Sequence, residues 1–340
     1  MTTQSLPQHT HHAAAAHEPP AALRATGILA ALITVVAIVA LAFALPAARS
    51  KPHDVPIGAA GPQAASGQIA DMLEQRAPGA FAVTYYPGEA ALREAIRNRE
   101  VYGGISLGQD GPALLVATGA SPTVAQLLTQ VGTGVAQHAG VALRTDDLAP
   151  LTADDPRGAG LAASALPITL AGVLPAVALV LVLRREVWTR LAACVVSAAA
   201  AGWTIAALLR YVLGSIDANF WGVAGGLTLG ILAAGLTMLG LGSLFGRIGL
   251  AIGAVLALLV GNPLSGLASA PELLPSGWGA LGQWLPQGAN ATLLRSTAFF
   301  DGAGATTAIV VLTVWAILGA GLTITAAVRT SRVRREAADT

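Results

Sequence analysis

The sequence predicts a polytopic α-helical membrane protein with six transmembrane helices and an extracytoplasmic α/β domain between helices one and two. Three observations predict it. The 340 residues are 54% hydrophobic and only 11% charged, against roughly 25% charged in a soluble globular protein. The few charges are bunched, with eight Lys/Arg and eleven Asp/Glu between residues 49 and 157. Elsewhere they leave long charge-free intervals, and an α-helix needs about 20 apolar residues to cross about 30 Å of hydrocarbon.

Those intervals lie between Arg24 and Arg49, Arg157 and Arg184, Arg190 and Arg210, Asp217 and Arg247, Arg247 and Glu272, and Asp301 and Arg329. They divide the chain into a disordered cytoplasmic tail (1–24), transmembrane helix 1 (25–48), the extracytoplasmic α/β domain (49–158), a five-helix transmembrane domain (159–328) and a basic cytoplasmic tail (329–340). The apolar run from Gly27 to Pro46 is longer than the core of a cleaved signal peptide, so the first helix is expected to stay as an anchor. The fifth span is interrupted by Gly261, Asn262 and Pro263 and is expected to cover about residues 248–265.

Arginine placement sets the orientation, because Lys and Arg in short loops stay on the cytoplasmic side. "RREVWTR" (184–190) and "RTSRVRRE" (329–336) are basic, and Arg247 marks the turn between spans four and five. The alternate loops carry only Arg295. Both termini are therefore expected in the cytoplasm. Eighteen Arg to one Lys also suggests a high-GC bacterium, with its plasma membrane as the location.

Within 49–158, "DVPIGAA" (54–60) and "AFAVTYY" (80–86) read as strands. "GEAALREAIRNRE" (88–100) places Ala91, Leu92, Ala95 and Ile96 at helical spacing. "VYGGISL" (101–107) and "GPALLVATG" (111–119) read as a strand pair, followed by a helix over 121–140 opened by a Ser cap and a first-turn Pro. A small α/β sandwich is the economical architecture.

Catalytic chemistry is not evident. No GxxxxGK[ST] phosphate loop occurs, and Lys51 is the single lysine. Cys194 stands alone inside span three. His9, His11, His12 and His17 lie in a tail of low complexity that offers no rigid ligand geometry, and His53 and His138 have no recognisable partner. The sequence thus predicts no enzyme, no metal site, no cofactor in this chain and no nucleic-acid partner. Spans two to six contain no Asp, Glu, His or Lys, which argues against a proton pathway.

Glycine is abundant instead. Gly222, Gly226 and Gly230 recur every four residues, and Gly242 with Gly246 and Gly249 with Gly253 repeat the spacing. These are expected to be helix-packing ridges within one bundle, or else a dimer seam or sliding surface. Pro167 and Pro175 predict a kink in span two. Residues 262–302 are too broken to span and too apolar for a solvated linker. Asn262, Pro263, Pro271, Glu272, Pro275, Trp278, Trp284 and Pro286 outline a re-entrant outer hairpin with two short helices, its Trp rings at headgroup level. Asn290-Ala291-Thr292 matches a glycosylation sequon but is taken as chance in such a turn.

One span, a large outer domain and five further spans with paired outer helices before the last together resemble the ABC-2 type permeases and the related YhgE/Pip membrane proteins. The stretches that carry this are "GNPLSG", "PELLP" and "GQWLPQGANATLLRSTAFFDG" (282–302), with "AIRNREVYGGISL" (95–107) and "DPRG" (155–158). The resemblance implies a permease subunit, a homodimer or a heterodimer with a second permease, driven by a separate ABC ATPase and exporting a hydrophobic or amphiphilic substrate such as a drug, a lipid or an envelope component. It also implies an ATPase-coupling loop at Arg184, Arg185, Glu186, Val187, Trp188, Thr189 and Arg190, which here is a single short turn. The alternative is a non-transporting envelope receptor or secretion scaffold that uses the outer domain.

Overall fold

A computed structural model describes residues 20–108, 111–183 and 186–338. The four tail histidines, Arg184 and Arg185 lie outside the described residues. The chain forms two compact units, one ending at Leu41 and one beginning at Ala42. Helix α1 (Ala21–Ala48) is 28 residues long and begins before Arg24, so residues 21–24 belong to a helix and not to a disordered tail. Its side chains at Ile33 and Val36 are exposed.

In the second unit, 49–158 builds a five-stranded sheet: β1 (Val55–Ala60), β2 (Phe81–Tyr86), β3 (Gly103–Gly108), β4 (Gly111–Val116) and β5 (Arg144–Asp147). The strand order is β2-β1-β3-β4-β5, parallel except for the β3–β4 hairpin. Helices α2 (Gln63–Arg76) and α4 (Pro122–Ala139) cover one face through Ile69, Leu73, Val124 and Leu128. Helix α3 (Glu89–Arg97) covers the other through Leu92, Ala95 and Ile96. Ser121 caps α4 by accepting from the Val124 N–H at 3.3 Å. The sequence assigned no element to 61–79 or 141–147, where α2 and β5 lie: α2 shows little amphipathic patterning, and the four residues of β5, Arg-Thr-Asp-Asp, carry no apolar alternation.

The remainder is helical: α5 (Ala159–Ala163), α6 (Ala165–Val182), α7 (Val187–Ala207) ending in a π turn (Leu208–Val212), α8 (Phe220–Val255) running into a second π turn (Leu256–Gly261), α9 (Trp278–Gln283), α10 (Pro286–Phe299) and α11 (Thr306–Ala338). Among the described residues five helical runs are long and apolar enough to cross a membrane: Ala21–Ala48, Ala159–Val182, Val187–Val212, Phe220–Gly261 and Thr306–Arg329. Spans four and five of the sequence reading fall within the single run 220–261. That run is broken at Gly246, where φ 61° and ψ −137° are open only to glycine. The two arms fold back on each other, so that Leu250 lies against Gly242 and the Met238 sulfur against Gly253.

The first arm of α8 is the bundle's centre, packed on α6, α7, α10 and α11. One core gathers Val173, Val180, Leu236, Leu239, Leu293 and Leu312; a second gathers Ile168, Leu209, Leu227, Ile231 and Leu294. The "DPRG" turn fastens the sheet domain to this bundle. Asp155 accepts from the Ala159 and Gly160 N–H groups at the start of α5 and from Ser215 Oγ at 2.7 Å in the α7–α8 loop. On the far side, Ala270 and Leu273 enter one sheet-domain core and Phe300 enters the other. The segment between α8 and α11 is therefore part of both halves.

Candidate functional site

Two concavities stand out in the second unit. The first lies where the sheet domain meets the 262–304 segment, a cavity of about 420 Å³. The turn after α3 contributes Arg99, held at φ 61°, and β3 is preceded by Tyr102. The other wall is the extended chain around the Pro271–Leu273 turn, tied to residues 50–53: Lys51 and His53 donate their N–H groups to the Leu273 and Glu272 carbonyls, both at 3.0 Å.

Its polar groups are interlocked. The Arg99 guanidinium donates through Nη1 to the Thr292 carbonyl at 3.0 Å and to Ser296 Oγ at 2.6 Å, and stacks 5.3 Å from the Phe300 ring centre. Arg295, only 6% exposed, donates to the Gly266 carbonyl at 2.7 Å and the Leu267 carbonyl at 2.6 Å. Tyr102 Oη donates to Glu272 Oε2 at 2.8 Å. Burial, with the neighbouring Glu272 charge, raises the Tyr102 phenol, so it remains a donor. Burial pushes Arg295 down to about 10, which still leaves it a cation at neutral pH. Burial also lowers Arg99.

The second concavity is an apolar chamber of about 630 Å³ among Val173 of α6, Met238 and Leu241 on one arm of α8, Leu256 on the other, and Leu318 and Leu322 of α11. Leu285, Pro286 and Gln287 close one side of it, whereas Gln283 faces the polar cavity. The α9–α10 junction thus separates a polar volume from an apolar one. Trp315 Nε1 fixes this junction by donating to the Trp284 carbonyl at 2.8 Å.

The residues singled out by sequence fall in several places. Of the coupling-loop set, Glu186 and Thr189 are exposed, Val187 is half-buried and Trp188 is 72% exposed. Arg190 does not share that surface. It is buried, with Nη1 donating to Ser243 Oγ at 3.0 Å, so it ties α7 to α8 rather than presenting a charge to solvent.

Gly226 and Gly230 admit Leu293 and Asn290 of α10, and Gly242, Gly249 and Gly253 let the arms of α8 meet. Gly222 faces its own cap, Asn219, and Gly246 is the break with open space around it; neither is part of an interhelical ridge. In the segment between α8 and α11 Pro271 opens the short turn, the Pro275 carbonyl accepts from the Trp278 N–H, and Pro286 occupies the first turn of α10. Asn262 is buried beside Thr169, Pro263 is half-buried, and Trp284 is exposed. Asn290 of the sequon is 3% exposed, which excludes a glycan in this fold.

Sequence reasoning missed Arg99, Tyr102 and Arg295 as site residues, the last noted only as a loop charge. The available signal was "NREVY", a charged turn directly before an apolar strand. Among the described residues no group of three or more His, Cys, Asp or Glu could hold a metal ion. No protein-family model, no curated protein and no solved structure matches the chain.

Proposed function

We propose that this chain is the permease subunit of an ABC-2-like exporter in a bacterial plasma membrane, moving a hydrophobic or amphiphilic substrate with a separate ATPase. The observation that carries the reading is the apolar chamber bounded by both arms of α8 and by α11, a volume suited to an acyl chain and lacking any ionisable wall residue. In this reading the two arms of α8 count as separate crossings, giving six with α1, α6, α7 and α11. Both termini are then cytoplasmic and residues 49–158 extracytoplasmic. The second arm is short because it unwinds into the 262–302 hairpin, whose irregular backbone is buried in protein rather than exposed to lipid.

The exposed Trp188 turn is the surface offered to the ATPase. A second permease copy, identical or related, completes the transporter. A plain anchor for the sheet domain would need one helix, not a bundle whose outer segment contributes Leu273 and Phe300 to that domain's cores.

Labelling with a long-chain diazirine amphiphile tests the chamber. The expected result is cross-linking to the 318–325 face of α11, lost in Ala257→Trp, which fills the cavity, while labelling of α1 is unchanged. Equal labelling in both chains would contradict the reading.

A further inference from the structure

We propose that the junction cavity is the seat of an oxyanion headgroup, a phosphate monoester or a carboxylate, held by Arg99 and Arg295. Assigning that headgroup to an exported amphiphile rests on the permease reading; the binding itself does not.

The two guanidiniums on this cavity lack ion-pair partners. Among the described residues the ion pairs join Arg93 and Arg144 to Glu89 and Arg93 to Asp146, so neither Arg99 nor Arg295 has a carboxylate within contact distance. Both guanidiniums rest on carbonyls or a hydroxyl, which satisfy N–H groups without neutralising charge. The nearby carboxylate, Glu272, is one against two, and its Oε2 is occupied by Tyr102. A buried cation left unneutralised, as Arg295 is, is costly, and a planar fork of donors suits an oxyanion.

His53 Nδ1, also on this cavity, is buried with no partner and adds unused hydrogen-bonding capacity. Asp54 and Glu100 also line this cavity but are exposed, so that water weakens their repulsion and only low ionic strength lets it show. They set a mildly repulsive rim that an anion must pass.

A volume of about 420 Å³ is far more than the roughly 30 Å³ one water occupies in the liquid, and accommodates a headgroup with part of its alcohol. The same α9–α10 turn borders the apolar chamber, so head and tail volumes lie on either side of one short element.

The test uses the full chain in neutral detergent, titrated with dioctanoyl phosphatidic acid, dioctanoylglycerol and inorganic phosphate, and read by tryptophan fluorescence and thermal unfolding. Phosphatidic acid is expected to bind saturably, dioctanoylglycerol, which offers only its chains to the apolar chamber, at least about tenfold more weakly, and phosphate to compete weakly. Arg99→Gln should weaken phosphatidic acid by about tenfold or more, the size of a lost charge-assisted hydrogen bond. At low ionic strength Asp54→Asn combined with Glu100→Gln should tighten it, an effect that a merely bracing role for the arginines does not produce. Because the rim variant touches no brace, it decides the matter even if Arg99→Gln fails to fold. Equal binding of phosphatidic acid and dioctanoylglycerol, or unchanged affinity in the rim variant, overturns the proposal. Phosphate binding as tightly as phosphatidic acid overturns the headgroup assignment in favour of a free anion. Oxyanion binding by a chain that recruits no ATPase would leave this site standing and remove the permease reading instead.

Discussion

Asp155 shows how a single side chain holds two halves together. Burial raises its carboxyl, but the Ser215 hydroxyl and the Gly160 and Ala159 N–H groups outweigh that and leave it below the ordinary Asp value. A carboxyl depressed in the folded state contributes stability above its unfolded pKa of about 4 and loses it as pH falls through the folded value. Glu89, lowered first by the Arg93 hydrogen bond, acts in the same direction. Thermal stability should therefore decline below about pH 4, and Asp155→Asn should lower it at neutral pH while flattening that acid limb in a pH series of melting curves. At Trp188 the expectation is the reverse: because that side chain is exposed, Trp188→Ala should change the unfolding free energy by no more than about 0.5 kcal/mol in a denaturant melt. "DPRG" was legible as a motif, but its role was not, because Ser215 lies 60 residues further on.

Among elements, α3, α4 and the strands β1 to β4 were legible because apolar spacing and a Ser cap mark them locally. Ser121→Ala should cost about 1 kcal/mol in a denaturant melt, the usual value of an N-cap. The fold-back of α8 was only half legible. Arg247 signalled a turn, yet the turn itself is made by Gly246, whose backbone angles resemble nothing a spacing argument would mark. Gly246→Val should be destabilising by about 1–3 kcal/mol, measured by unfolding in detergent, since a β-branched residue is strained at that φ and ψ. Gly225→Ala, on the same helix with open space around it, should be neutral or slightly stabilising. The polar cavity was illegible because its walls, residues 99–102 and 265–295, meet only in the tertiary fold.

At the scale of the molecule, membrane character was plain from composition, and five long apolar helices agree with it. If the chain is the proposed permease, the energy for transport comes from partner proteins. The permease account makes a definite demand on them: a tagged chain taken from its native membrane in mild detergent should bring down a stoichiometric ABC ATPase with ATP-hydrolysing activity, and Trp188→Ala should lose both while remaining folded. Recovery of the folded chain without an ATPase, with envelope or secretion proteins bound to residues 49–158 instead, would contradict it.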